Sequence, residues 1–121
     1  MKVKLSKLQQ AVPGLNAIAN TKLNLKASYD VSKRLSAVNA ELEIFHKVRM
    51  DKLKELSGGK LKENGTEYDI SEEDLKNLSE ELKNLSDSEV ELGILPIKLA
   101  DLGDIFIEPA HLVNLDFLIT E

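Results

Sequence analysis

The 121-residue chain carries sixteen Lys or Arg against twenty-one Asp or Glu, a net charge of −5, with three Phe, two Tyr, no Trp and no Cys. The lack of cysteine excludes a disulfide framework, a thiol nucleophile and any thiolate metal site. The length suits a single domain, 1–121, whose core must be filled by Leu, Ile, Val and Ala.

Met1-Lys2-Val3-Lys4-Leu5-Ser6-Lys7 is basic but leads into Gln9 and Gln10, where a signal sequence would turn apolar. No apolar run approaches the ~18 residues of a membrane span. The expectation is a cytoplasmic protein with no membrane contact. Val3 and Leu5 alternate as in a short strand, after which Leu8, Val12, Leu15, Ile18 and Ala19 take up helical spacing. Pro13-Gly14 predicts a kink or break, because proline has no amide donor and its ring crowds the preceding turn.

Val31, Leu35, Val38, Leu42 and Phe45 recur at four, three, four and three, and Leu53 and Leu56 extend the stripe. This predicts one helix from about Leu25 to Leu56, roughly 48 Å long, too long for the radius of so small a chain, so it must project or pair. Ser57-Gly58-Gly59 supplies its stop. Asn64-Gly65 is a favoured two-residue hairpin turn, and pairing outward from it sets Lys62 opposite Glu67 and Leu61 opposite Tyr68.

Ser71 followed by Glu72, Glu73 and Asp74 has the chemistry of a helix N-terminus. Leu75, Leu78, Leu82 and Leu85 then form two heptads, enough for a packing seam on the long helix but not for an autonomous coiled coil. Glu89 to Ile94 alternates as a strand, Ile97 to Leu99 extends further, and Pro109 with Leu112, Leu115 and Leu118 behind it predicts a C-terminal helix. The fold class is therefore mainly α with minor β: a long helix, a Leu-heptad helix and a C-terminal helix, with a hairpin and a short strand.

Charge is divided along this order. Residues 1–60 hold twelve Lys or Arg and five acids, whereas residues 61–121 hold four Lys and sixteen acids. A basic helical half (1–56), a Gly-rich loop and hairpin (57–70) and an acidic half (71–121) follow. The two halves can face one another, or one can face a charged partner.

Catalytic patterns are scarce. Gly58-Gly59-Lys60 lacks the upstream glycine and the hydroxyl residue of a phosphate loop. Glu43 with His46 and Glu108 with His111 are Glu-x-x-His pairs of the kind found in di-iron bundles, but the second straddles Pro109 and the leucine-rich third helix offers no inward Glu. No metal, no cofactor and no catalytic residue is expected. Lys33, Arg34, Lys47, Arg49, Lys52 and Lys54 form a positive set on the long helix, a candidate for holding a small anionic ligand such as a nucleotide at an oligomer interface. Nucleic acid is not expected, given the net negative charge and the lack of aromatic platforms.

The stretches Glu81-Leu82-Lys83-Asn84-Leu85, Glu89-Val90-Glu91-Leu92, Ile97-Lys98-Leu99, Leu102-Gly103 and Leu112 to Ile119 carry a resemblance to a loose family of small bacteriophage and prophage proteins of no settled function. The resemblance covers most of the chain as a pattern of apolar positions and turns, and it transfers no functional residue. It implies a protein made in the cytosol of an infected bacterium. The function expected on that basis is non-enzymatic: binding and inhibition of a host defence protein through the acids Glu72, Glu73, Asp74, Glu80, Glu81, Asp87, Glu89 and Glu91. The alternatives are a virion assembly accessory and an oligomeric sponge for an anionic nucleotide. The apolar C-terminus, with Leu115, Phe117 and Leu118, is expected to dock on the core or on another subunit of a homo-oligomer.

Overall fold

In the computed structural model, which describes residues 1–63, 65 and 67–121, the chain runs β1 (Lys2–Lys4), α1 (Leu5–Ala19), α2 (Leu25–Ser57), α3 (Glu72–Ser86), β2 (Glu89–Glu91), β3 (Ile97–Lys98), α4 (Pro109–Asn114) and β4 (Ile119–Thr120). Helix makes up 61% of the described residues and the strands are small, so the fold is mainly α with minor β.

The apolar residues of α1 at Leu5, Leu8, Ala11, Leu15 and Ile18 lie on one face and are all buried. The helix continues through Pro13 without the expected break. Pro13 is exposed, and so is Gln9, whose carbonyl loses its helical amide partner; on the solvent side of the helix such a carbonyl can be satisfied by water, which lowers the cost of the proline. The next residue, Gly14, is buried and is the point at which α4 crosses α1.

Sequence chemistry sets both ends of α2. Asn24 Oδ1 accepts a hydrogen bond from the Ala27 amide at 2.8 Å, and Gly58 ends the helix in the left-handed region at φ 63°, its amide and that of Gly59 returning to Glu55 and Lys54 carbonyls. At 33 residues α2 is roughly 50 Å long. Ala27, Val31, Val38, Leu42 and Phe45 are buried against α1 and its neighbours, but beyond Phe45 only Ser57 is buried. The last three turns of α2 therefore leave the body as an arm.

The arm is completed by the connection to α3. Leu61 bridges Tyr68 and the Lys62 amide donates to the Glu67 carbonyl at 2.7 Å, the register predicted from the sequence. The Asn64-Gly65 turn that was expected to set it lies partly outside the described residues. Ser71 Oγ caps α3 at the Asp74 amide, 3.2 Å away, and Leu75, Leu78, Leu82 and Leu85 share the face turned toward α2.

β1 and β2 pair antiparallel, placing Lys2 opposite Glu91, Val3 opposite Val90 and Lys4 opposite Glu89. Here the basic and acidic halves do meet. β2 stops at Glu91, short of the alternation to Ile94, and the extended segment at Ile97 gives way after Lys98 to a 3-10 turn, Leu99–Leu102.

The C-terminal helix is shorter than its leucine spacing predicts. α4 ends at Asn114, and Ile119–Thr120 instead forms a strand parallel to Ile97–Lys98, with the Ile97 amide donating to the Leu118 carbonyl at 2.6 Å. Leu115, Leu118 and Ile119 thereby enter the same core cluster as α1 and the body half of α2.

Candidate functional site

Among the described residues, the groove between the arm's helices and the outer face of α3 are surfaces available to a partner. α2 and α3 run antiparallel along the arm without closing on each other. Between them lies a groove of about 410 Å³ lined by Val48, Arg49, Asp51, Lys52 and Glu55 on one wall and Leu78, Glu81, Leu82 and Leu85 on the other. Toward the body it continues past Ile44, Val48 and Leu85 to Val90. Toward the tip, Arg49 joins it to a second hollow of about 330 Å³ under Met50, Leu53, Tyr68, Ile70 and Leu75. Ile44 is 59% exposed, Val48 51%, Leu75 49% and Leu85 38%, so this trough is an open apolar surface.

Lys33, Arg34, Lys47, Arg49, Lys52 and Lys54 of α2 do not form one surface. Arg34 is tied to the body, its Nε donating to the Leu95 carbonyl at 3.1 Å and its guanidinium lying 3.7 Å from Asp30. Lys33 stands 5.5 Å from the Tyr29 ring centre. About 20 Å of helix separates this pair from Lys47, which with Lys54 lies on the side of α2 away from the groove. Arg49 and Lys52 do line the groove, but Asp51, Glu55 and Glu81 line it with them. Within one chain the six cations are therefore not brought together as a single set, and the two that line the groove are balanced by carboxylates.

The eight acids divide by position. On a helix of 3.6 residues per turn, Glu73, Glu80 and Asp87, seven apart, fall on the face opposite the leucines. All three are exposed, and among the described residues none is in an ion pair. Glu72 flanks this line, whereas Asp74 and Glu81 turn toward the groove. Glu89 and Glu91 belong to a different environment, opposite the β1 lysines. The Met1 amino group donates to Glu91 Oε1 at 2.9 Å, and this bond, aided by the charges of the amino group and Lys2 against a smaller desolvation, holds the Glu91 carboxyl below the ordinary glutamate range. Glu91 is thereby engaged within the chain, whereas Glu89 is exposed and makes no ion pair among the described residues.

Of the two expected placements of the C-terminus, Leu115 and Leu118 take the core of their own chain, where both are fully buried; Phe117 beside them is half-buried, its ring 6.0 Å from the Lys7 ammonium. The two Glu-x-x-His pairs sit on different elements. Glu108 and His111 approach to 3.7 Å at the start of α4, while His46 on α2 is exposed and meets Phe45 edge-on. Among the described residues no three His, Asp or Glu side chains gather to a metal-sized cluster, and no helix is long and apolar enough to cross a membrane.

Single-helix periodicity did not reveal the groove. The α2 stripe predicts a helix that must project or pair, and only the tertiary arrangement shows that the body stops at Phe45 and leaves Val48 uncovered. No family model, no curated protein and no solved structure matches the chain.

Proposed function

We propose that the protein is a non-enzymatic binding protein that docks the outer face of α3 on a basic surface of another protein and blocks it. The observation that supports this is the line of Glu73, Glu80 and Asp87, exposed and without ion pairs, on a helix held out from the body. Carboxylates about 10 Å apart along one helix face, with Lys76 and Lys83 beside them at three- and four-residue spacing, present a charged stripe with one net negative charge that can steer encounter with a complementary surface. These side chains are exposed and contribute nothing to the core, which suits a role in binding.

The resemblance to small bacteriophage proteins makes the expected partner a protein of the host bacterium, and inhibition of a defence protein the expected outcome. The test is capture from a bacterial lysate by the wild-type chain and by the triple variant Glu73→Lys, Glu80→Lys, Asp87→Lys. Capture is expected to fall with rising salt, as screening of exposed charge requires, and to be lost in the variant. A partner held equally by both chains at low and high salt sinks the reading.

A further inference from the structure

We propose that the α2–α3 groove seats a second copy of the same chain, the two arms packing face to face about a two-fold axis as a four-helix bundle. This surface is distinct from the outer acidic line of α3. The first argument is that α3 lacks a full partner in its own chain. It is a fifteen-residue amphipathic helix with one buried residue, Leu78, and helices of that length are marginal in water unless their apolar face is covered. Leu82 and Leu85 face α2 across an open gap, and Val48 on the opposite wall is half exposed.

Charge then selects the occupant. Arg49 and Glu81 stand on opposite walls of one groove, yet among the described residues no ion pair joins α2 to α3. A two-fold axis lays α2 of each copy over α3 of the other, so Arg49 of one chain meets Glu81 of its mate and the pair forms twice. The same balance of charges disfavours an anionic ligand. Antiparallel hairpins that pair through leucine seams at heptad spacing form four-helix bundles with the remaining acids directed outward, which leaves Glu73, Glu80 and Asp87 at the surface.

The test is sedimentation of the full chain from low to high micromolar concentration. The wild type is expected to be a dimer. Arg49→Glu alone and Glu81→Arg alone are each expected to weaken it about tenfold or more, and the double swap to restore it. Val48→Asp, at a half-exposed position, is expected to give a folded monomer with undiminished helical circular dichroism. Substituting Glu73, Glu80 and Asp87 together is expected to leave the dimer intact, which separates this proposal from the partner-binding reading. A wild type that stays monomeric at about 100 µM overturns the proposal and leaves the groove to a foreign helix. So does a dimer that is indifferent to Val48→Asp and to both single swaps.

Discussion

Gly14 and Leu115 are in contact at the crossing of α1 and α4 so closely that a β-carbon on Gly14 would lie 2.9 Å from Leu115 Cδ1 and 3.2 Å from its Cγ, with His111 Cβ also at 3.2 Å. Leu115 is wholly buried and cannot swing away. Gly14→Ala gains about 1 kcal/mol of helix propensity but forces an overpacked contact that costs about 1–3 kcal/mol. The net expectation is a loss of about 1 kcal/mol in urea unfolding. Gly93→Ala, with open space around the added carbon and no left-handed φ, is the control and is expected to lose nothing. An alanine at position 14 that matches or exceeds the wild type refutes the crossing geometry.

The neighbouring residues Phe117 and Leu118 are expected to respond very differently. Leu118 is 1% exposed within the main cluster, so Leu118→Ala removes buried methyl groups and leaves a cavity, a loss of about 2–5 kcal/mol. Phe117 is only half-buried against that cluster, with its ring near Lys7, and Phe117→Ala is expected to cost less than Leu118→Ala. Both losses should be independent of protein concentration in thermal unfolding, since neither side chain belongs to the proposed subunit contact. A loss relative to the wild type at equal concentration that itself changes strongly with concentration would return the C-terminus to an interface.

Those C-terminal residues also mark where the sequence is hard to read. The bounds of α2 are legible because its signals are local: a stripe at three and four, and glycines at 58 and 59. The Leu61–Tyr68 register is legible for the same reason. Leu112, Leu115 and Leu118 fit a helix equally well, but Ile119 is claimed by Ile97, twenty-two residues away, and no local pattern carries that pairing. Pro13 misleads because the cost of a proline depends on whether water reaches the orphaned carbonyl, a tertiary property. For the site, the acids of α3 are evident from sequence, but their division into an outer line and a groove edge follows only once the leucines are known to face α2.

Helix caps offer a way to separate the arm from the body. Asn24→Ala removes the acceptor for the Ala27 amide at the body end of α2 and is expected to cost about 1 kcal/mol of global stability. Ser71→Ala removes the equivalent acceptor at α3, but α3 contributes little to the core. Its expected effect is local opening: faster amide hydrogen exchange in the first turns of α3 with a smaller change in the global unfolding midpoint. Equal global losses from the two variants would mean that the arm and body unfold as one unit.

The β1–β2 strip adds a dependence on acid. Glu91 accepts from the Met1 amino group, lies opposite Lys2 in the strand register and has its carboxyl held below the ordinary glutamate value. A carboxyl whose folded value is depressed stabilises the fold fully above its unfolded value, and that stabilisation is lost as pH falls through the folded value. Glu91→Gln should therefore be less stable than the wild type at neutral pH, with the gap closing as acid protonates the native carboxylate. The side chain is 63% exposed, so the gap is expected to be small and to shrink in salt as well. Unfolding of both chains over the acid range, with the Glu91 carboxyl followed by nuclear magnetic resonance, measures it. Parallel stability curves for wild type and variant, or a carboxyl that titrates like a free glutamate, would remove the N-terminal ammonium and Lys2 as the reason the acidic segment closes on β1.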